Sequence, residues 1–360
     1  MPVPDQRDPA VTSAALTAWL RERLPGVEDL VVSGLTKPSL SGYSNETLLF
    51  DVEWSRAGVL DRRSLVARVG PTAYRLFPDA RFEDQHRLMR ILDRETDLPL
   101  PPVRWYEPDG ALLGAPFLVM DRVNGLVPPD TPTYHQEGWV VEASPAERAR
   151  LWWGALEVLA RVHLLDPDAL GLGFLDRPEW GRTGIDQQLG YYEHFLRWGH
   201  PGRQPAAEAA LAWLRRHQPD ETLPPRLLWG DARIGNIVFH DGEPRAVLDW
   251  EMATLGQPEV DLAWFLYLDR HHWEGVGAAR LAGFPDRRET VAAHERRLGR
   301  PLRNLDYYEV FAALRFAVIM ARLGQMFIDF ELLPQDSTFP IDNTASRLLA
   351  RILDDVTQPC

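Results

Sequence analysis

The chain predicts an α+β fold, a small sheet-rich unit followed by a larger helical one that carries a β-hairpin. Three observations predict it. Leu48, Phe50, Val52 and Trp54 alternate with polar neighbours, the period of a half-buried strand. Beyond Gly125 the pattern turns helical, in segments near 184–198, 205–217, 258–268, 287–298, 306–330 and 343–355. Among them, two short apolar runs, 237–240 and 245–248, flank an Asp-Gly pair, a strong hairpin signal.

Taken in order, Asp8 can cap a helix over 9–24, with Pro9 in its first turn and Pro25-Gly26 as its stop. Strands are expected at 47–54 and 64–69. The second puts Val66 and Arg68 on one face and Leu65, Ala67 and Val69 on the other. Arg81 to Leu92 reads as a helix with Glu83 in its first turn. Extended segments at 103–106 and 111–120 follow, ending in Phe117-Leu-Val-Met120 and then Asp121-Arg-Val-Asn-Gly125. Pro128 to Pro132 is a Pro-rich connector. Ser144-Pro-Ala-Glu147 is a capping box with Pro at the first position, opening a helix to about Leu165. No internal repeat or low-complexity stretch interrupts this order.

Composition narrows the class. With 360 residues, 45% hydrophobic and 25% charged, the chain is an ordinary globular sequence. A net charge of −13 and a pI near 5.3 argue against nucleic acid as the main partner. The one cysteine, Cys360, allows neither an intrachain disulfide nor a thiolate metal cluster. No secretory h-region and no apolar run of membrane-spanning length are evident, so the expectation is a cytoplasmic protein without a membrane partner, monomeric or homodimeric.

The hairpin region reads Trp229-Gly-Asp-Ala-Arg-Ile-Gly-Asn236 and runs on to Asp249-Trp-Glu251. Because Pro244 lacks an N–H, a four-residue loop from Asp241 to Pro244 is expected. That register sets His240 opposite Arg245, Ile237 opposite Leu248 and Asn236 opposite Asp249. An amide oxygen and a carboxylate so opposed can share one hard cation.

Asp231-x-x-x-x-Asn236 followed by Asp249 resembles the catalytic loop of protein kinases, and its wording is most similar to the aminoglycoside phosphotransferase family, whose loop usually begins His-Gly-Asp. The resemblance implies a two-lobed protein-kinase-like fold: a nucleotide-binding lobe over 1–120, a hinge at 121–126 and a helical catalytic lobe over 127–360. It implies ATP (or GTP) as phosphoryl donor, Mg²⁺ as cofactor and a small-molecule hydroxyl as acceptor. Asp231 would accept the hydroxyl proton, Asn236 and Asp249 would hold Mg²⁺, and Arg233 is placed to stabilise the transferred phosphoryl. Trp229 departs from the usual His.

The same resemblance assigns the nucleotide side. No P-loop and no Gly-x-Gly-x-x-Gly is present. In their place Ser39-Leu-Ser-Gly-Tyr-Ser-Asn-Glu-Thr47 precedes the first strand. There Gly42 would let the backbone approach phosphate, and Ser41, Ser44 and Asn45 would donate to its oxygens. Lys37 is the only lysine and stands before the loop, so the strand cation falls to Arg68, with Glu83 as its helix partner. Met120, Asp121 and Val123 of the hinge would meet adenine through backbone groups. Asp261 resembles the aspartate that braces the catalytic loop, and Glu251 is placed to assist at the metal. His271-His272 with Glu274 reads as a surface pair, and most of the thirteen tryptophans as core. A nucleotide-binding fold without turnover is the alternative function.

Overall fold

The structure is a computed structural model and describes residues 7–38, 44–71, 74–79, 81–200 and 202–357. Ser41 and Gly42 lie outside these residues.

Helix α1, Pro9–Arg23, starts where Asp8 accepts the Ala10 and Val11 N–H groups. Strands β1 (Glu28–Thr36), β2 (Glu46–Arg56) and β3 (Val59–Val69) precede α2 (Phe82–Glu95), and β4 (Val103–Glu107) and β5 (Phe117–Asp121) complete the sheet. Its order is β1-β2-β3-β5-β4, antiparallel throughout. The alternation in β3 divides two cores. Leu65, Ala67 and Val69 pack with α1 residues Leu16, Trp19 and Leu20, whereas Val66 joins the larger core shared by α2 and the helices beyond.

β1 was not predicted, because its residues do not keep a strand's period. The register shifts on both sides of Val31–Ser33, Asp29 and Gly34 adopt positive φ, and only Leu30 and Val32 are buried. The extended segment expected over 111–120 is shorter than the sequence suggests. Residues 111–113 form a turn, Gly114 has φ +73°, and the strand begins at Phe117.

The helical part comprises α3 (Trp139–Glu142), α4 (Pro145–Leu164), α5 (Gly184–Gly199), α6 (Pro205–Arg216), α7 (Pro258–Arg270), α8 (Arg287–Leu298), α9 (Leu305–Asp329) and α10 (Thr344–Thr357). Ser144 and Glu147 form the predicted capping box at the start of α4. At 25 residues α9 has the length and apolar character of a membrane span, but 72% of its most apolar window is buried, which makes it a core helix here. His271 and His272, read as a surface pair, are buried in a π-helical turn that continues α7.

Two small sheets lie among these helices: β6 (Arg226–Leu228) with β9 (Thr254–Gly256), and the hairpin of β7 (Ile237–His240) with β8 (Glu243–Val247). The hairpin turn has two residues, not four. Asp241 and Gly242 take φ +53° and +79°, as a type I′ turn requires. His240 therefore faces Glu243, and Pro244 sits opposite Phe239. An irregularity there restores Ile237 to Val247, so the missing Pro244 N–H falls at a bulge where no ladder donor is needed. Asn236 is consequently opposite Leu248, whose N–H donates to its carbonyl at 2.8 Å. Asp249 comes one residue later, in a left-handed conformation at φ +60°.

The connector after the sheet is tied to this hairpin. Leu126 and Phe239 exchange two backbone hydrogen bonds, each 2.8 Å. Gly125 makes that approach possible, since a Cβ there would lie 2.4 Å from the Phe239 carbonyl oxygen.

Candidate active site

β6 delivers the chain into a tight loop at Trp229-Gly-Asp231. Gly230 has φ +90°, and a Cβ on it would meet the Met252 carbonyl oxygen at 2.0 Å, so no other residue fits. Asp261, in the first turn of α7, braces the loop from beneath. Its two carboxylate oxygens accept the Trp229 N–H at 2.7 Å and the Gly230 N–H at 3.0 Å. His163 Nε2 lies 3.2 Å from the same carboxylate, and His163 Nδ1 lies 3.0 Å from His294 Nε2. Trp229, standing where His is usual, is fully buried and donates its indole N–H to the Leu248 carbonyl at 2.8 Å. It thereby links the loop of Asp231 to the strand leading to Asp249.

Asp231 is ringed by donors. Trp264 Nε1 reaches Oδ1 at 2.8 Å, Asn236 Nδ2 reaches Oδ2 at 2.7 Å, and Arg233 Nε lies 3.1–3.2 Å from both oxygens. Burial alone would push the carboxyl up, but Arg233 and these hydrogen bonds outweigh it and hold Asp231 below the usual aspartate value. It is therefore ionised at neutral pH, with its lone pairs fixed in direction.

Arg233 also donates to Asp130, in the connector between sheet and helices, and flanked by two carboxylates its charge is strongly retained. Arg315, 2% exposed in an apolar stretch of α9, donates to the Gly230 carbonyl at 2.7 Å and to the Tyr192 hydroxyl at 3.2 Å. Its guanidinium lies 4.3 Å from the Trp264 ring centroid, a cation–π contact with the indole that holds Asp231.

Across the cleft, Arg68 NH2 contacts Asp249 Oδ1 at 2.9 Å and Arg68 NH1 lies 3.4 Å from Thr47 Oγ1. The expected Arg68–Glu83 pair does not form. Glu83 is exposed at the start of α2, where its charge acts on the Tyr106 hydroxyl instead, because α2 turns its Phe82 and Gln85 face inward. Ser44 and Asn45 both donate to Glu251 Oε2, at 2.5 and 2.8 Å. Burial first, and then the charge of Asp249, push the Glu251 carboxyl up to about 8. Over the residues expected to form a hinge, Met120 is buried, and Asp121 spends its N–H on the Pro102 carbonyl and its carboxylate on Arg104. The Arg122 N–H goes to the Ser64 carbonyl, and Val123 beyond it is partly exposed.

The donor set suits Mg²⁺. Asn236 spends its N–H groups on Asp231, so its oxygen is the end left to meet a cation, as the Asp249 carboxylate two residues before Glu251 could also do. Among the described residues no cluster of three or more His, Cys, Asp or Glu side chains is set to bind a metal by itself. One or two carboxylates completed by phosphate oxygens and water is how Mg²⁺ is usually held.

An ionised aspartate, an arginine beside it, an amide and a second aspartate, set below an antiparallel sheet on a helical base, define a kinase-like phosphotransferase fold. Comparison places the chain in that class. It belongs to the phosphotransferase enzyme family, whose model matches residues 36–294. It is 26% identical to a candidate aminoglycoside phosphotransferase from Ralstonia eutropha JMP134, with a TM-score of 0.66 over 94% of this chain and 95% of that one. An aminoglycoside phosphotransferase solved with ADP and hygromycin B shares the fold at 18% identity and TM-score 0.56, over 94% and 98% of the two chains. Among curated proteins, acyl-CoA dehydrogenase family member 11 of Rattus norvegicus is 31% identical over 313 residues, 84% of this chain and 37% of that protein. The chain thus spans little more than a third of the length of that relative.

Sequence reasoning missed Trp264, Arg315 and Asp130. A single arginine inside the apolar run Phe311-Ala-Ala-Leu-Arg-Phe-Ala-Val318 was a readable signal for one of them, since a buried charge needs polar partners. Trp264 and Asp130 carry no local signature.

Proposed function

We propose that the protein is an ATP- and Mg²⁺-dependent phosphotransferase that moves the γ-phosphoryl group to a hydroxyl of a small molecule, across a cleft hinged at 121–126 between lobes 1–120 and 127–360. The observation that carries this reading is the Asp231 carboxylate, ionised and oriented by Trp264, Asn236 and Arg233. In the transfer, the acceptor oxygen bonds to the γ-phosphorus and the bond from that phosphorus to the β-bridging oxygen breaks, releasing ADP. The hydroxyl proton passes to Asp231 and then to solvent. A weak base suffices, because phosphoryl transfer depends on positioning and charge neutralisation more than on strong proton abstraction.

In this reading Arg233 would meet the transferred group, Arg68 the inner phosphates, and Ser44 and Asn45 the phosphate oxygens once Glu251 releases them. Mg²⁺ held by Asn236 and Asp249 would neutralise charge developing on the phosphates. The curated relative's name makes hydroxylated acyl thioesters reasonable acceptors alongside aminoglycosides and macrolides. ATP and GTP consumption measured across such a panel tests the reading, and a panel on which no acceptor raises turnover above background would defeat it.

A second reading is a nucleotide binder without turnover. It is favoured by Arg68 standing where a lysine is usual and pairing with Asp249 itself. A nucleotide-induced rise in melting temperature with no acceptor-dependent turnover would support it.

A further inference from the structure

A cleft opens beside this site, between the segment preceding α2, helix α5 and the chain that follows Glu251. Its walls adjoin the catalytic loop. Met252 lines it and closes over Gly230, and Tyr192 lines it and receives a hydrogen bond from Arg315, which also holds the Gly230 carbonyl. An acceptor lying in this cleft can therefore bring a hydroxyl towards Asp231.

The charges of the lining are unequal in availability. Asp79 is engaged by Arg177 at 2.6 Å, and Glu251 by Ser44 and Asn45. Arg75, in contrast, is exposed at the cleft and makes no ion pair or side-chain hydrogen bond among the described residues. Trp180, another lining residue, carries a buried indole N–H that also has no acceptor among them. The exposed guanidinium is free to bind a ligand anion and the buried indole N–H lacks an acceptor, so a carboxylate or phosphate oxygen suits both. Phe77, Trp180 and Tyr191 give the same cleft aromatic walls, which suit an apolar stem. The Arg177 ion pair leaves Asp79 with little net charge to offer a polycation.

We propose that this cleft is the acceptor pocket and that it selects alcohols bearing an anionic group on an apolar stem, with Arg75 reading the anion. This rests on the phosphotransfer reading, and the test separates the two. Four alcohols of one stem length, ending in a carboxylate, a phosphate monoester, a neutral amide or an amine, are compared by ATP-dependent turnover and by isothermal titration. The expected result is a kcat/KM at least about tenfold higher for an anionic member than for the amide, with the amine poorest. The carboxylate and phosphate arms show which anion is read.

In Arg75→Glu that preference should collapse to about unity, with an unchanged melting temperature as the folding control. Trp180→Phe should weaken binding of the anionic member several-fold. Anionic members that bind in an Arg75-dependent way without turnover would uphold the pocket and sink phosphotransfer. Turnover with the amide or amine equal or preferred, or a preference untouched by Arg75→Glu, overturns the pocket and leaves phosphotransfer standing. Absence of binding and turnover for every member also overturns it.

Discussion

The indole N–H of Trp264 points at Asp231 Oδ1, 2.8 Å away, and the opposite side of that arrangement is sealed by Arg315, whose guanidinium lies 4.3 Å from the indole ring. A residue of α9 thus acts on the carboxylate through a residue of α7, and through the Gly230 carbonyl it also holds the loop itself. The orientation of Asp231 is built from the helical core upward, whereas Asn236 and Arg233 act on it from within the loop.

Replacing Trp264 with Phe keeps most of the ring and removes one hydrogen bond to a charged oxygen. Such a bond contributes about 1.5–3 kcal/mol, so kcat should fall roughly 10- to 100-fold while the Kd for ATP changes little. Steady-state kinetics with nucleotide titration checks this, and a kcat within twofold of the parent would show that Trp264 does not orient the base.

Asp231→Asn removes the proton acceptor but keeps the shape and most of the hydrogen bonding. Transfer should be abolished, with ATP affinity held within several-fold, because the proposed role of Asp231 is on the acceptor side. Comparable turnover in that variant would refute the assigned base.

Much of the segment that carries the proposed catalytic residues was legible in advance, and the limits have physical causes. Asp231, Asn236 and Asp249 are spaced along one short segment, so local pattern suffices to find them. The register between Asn236 and Asp249 was misjudged because Pro244 reads as a residue that cannot pair, yet a bulge absorbs it opposite Phe239. Glu83 was misassigned for a different reason. Helical periodicity identifies α2 but not how far the helix is rotated about its axis, and that rotation leaves Glu83 outside and Arg68 on Asp249. Asp130 and Arg315 lie over 80 residues from the loop they support, a separation that no local signal spans.

The assigned cation site has few protein ligands, so its occupancy should depend on nucleotide. Asp249→Asn should raise the Mg²⁺ concentration for half-maximal turnover by at least about tenfold, since a carboxylate is exchanged for a neutral ligand. It also releases Arg68 from its 2.9 Å partner, so nucleotide binding without metal should be retained or improved. Chelation of divalent cations should abolish turnover in the parent protein. Full activity after chelation, or an unchanged Mg²⁺ requirement in Asp249→Asn, would remove Asp249 from the metal site.

Two of the buried histidines with lowered values contribute to the protein's acid sensitivity. Burial first, and then neighbouring His272, hold His271 down to about 3; burial first, and then His163, hold His294 down to about 2. Both would titrate near 6.5 in the unfolded chain, so between those limits the unfolded state binds more protons than the folded one. Their contribution to stability is complete above about pH 6.5 and is lost progressively as the pH falls, by roughly 2 kcal/mol for each histidine at pH 5. Denaturant unfolding at pH 7 and pH 5 should therefore show a marked drop in midpoint, and His271→Gln or His294→Gln should flatten it even if each lowers stability at neutral pH. A variant whose midpoint falls between the two pH values as steeply as the parent's would show that its histidine is not the group being protonated.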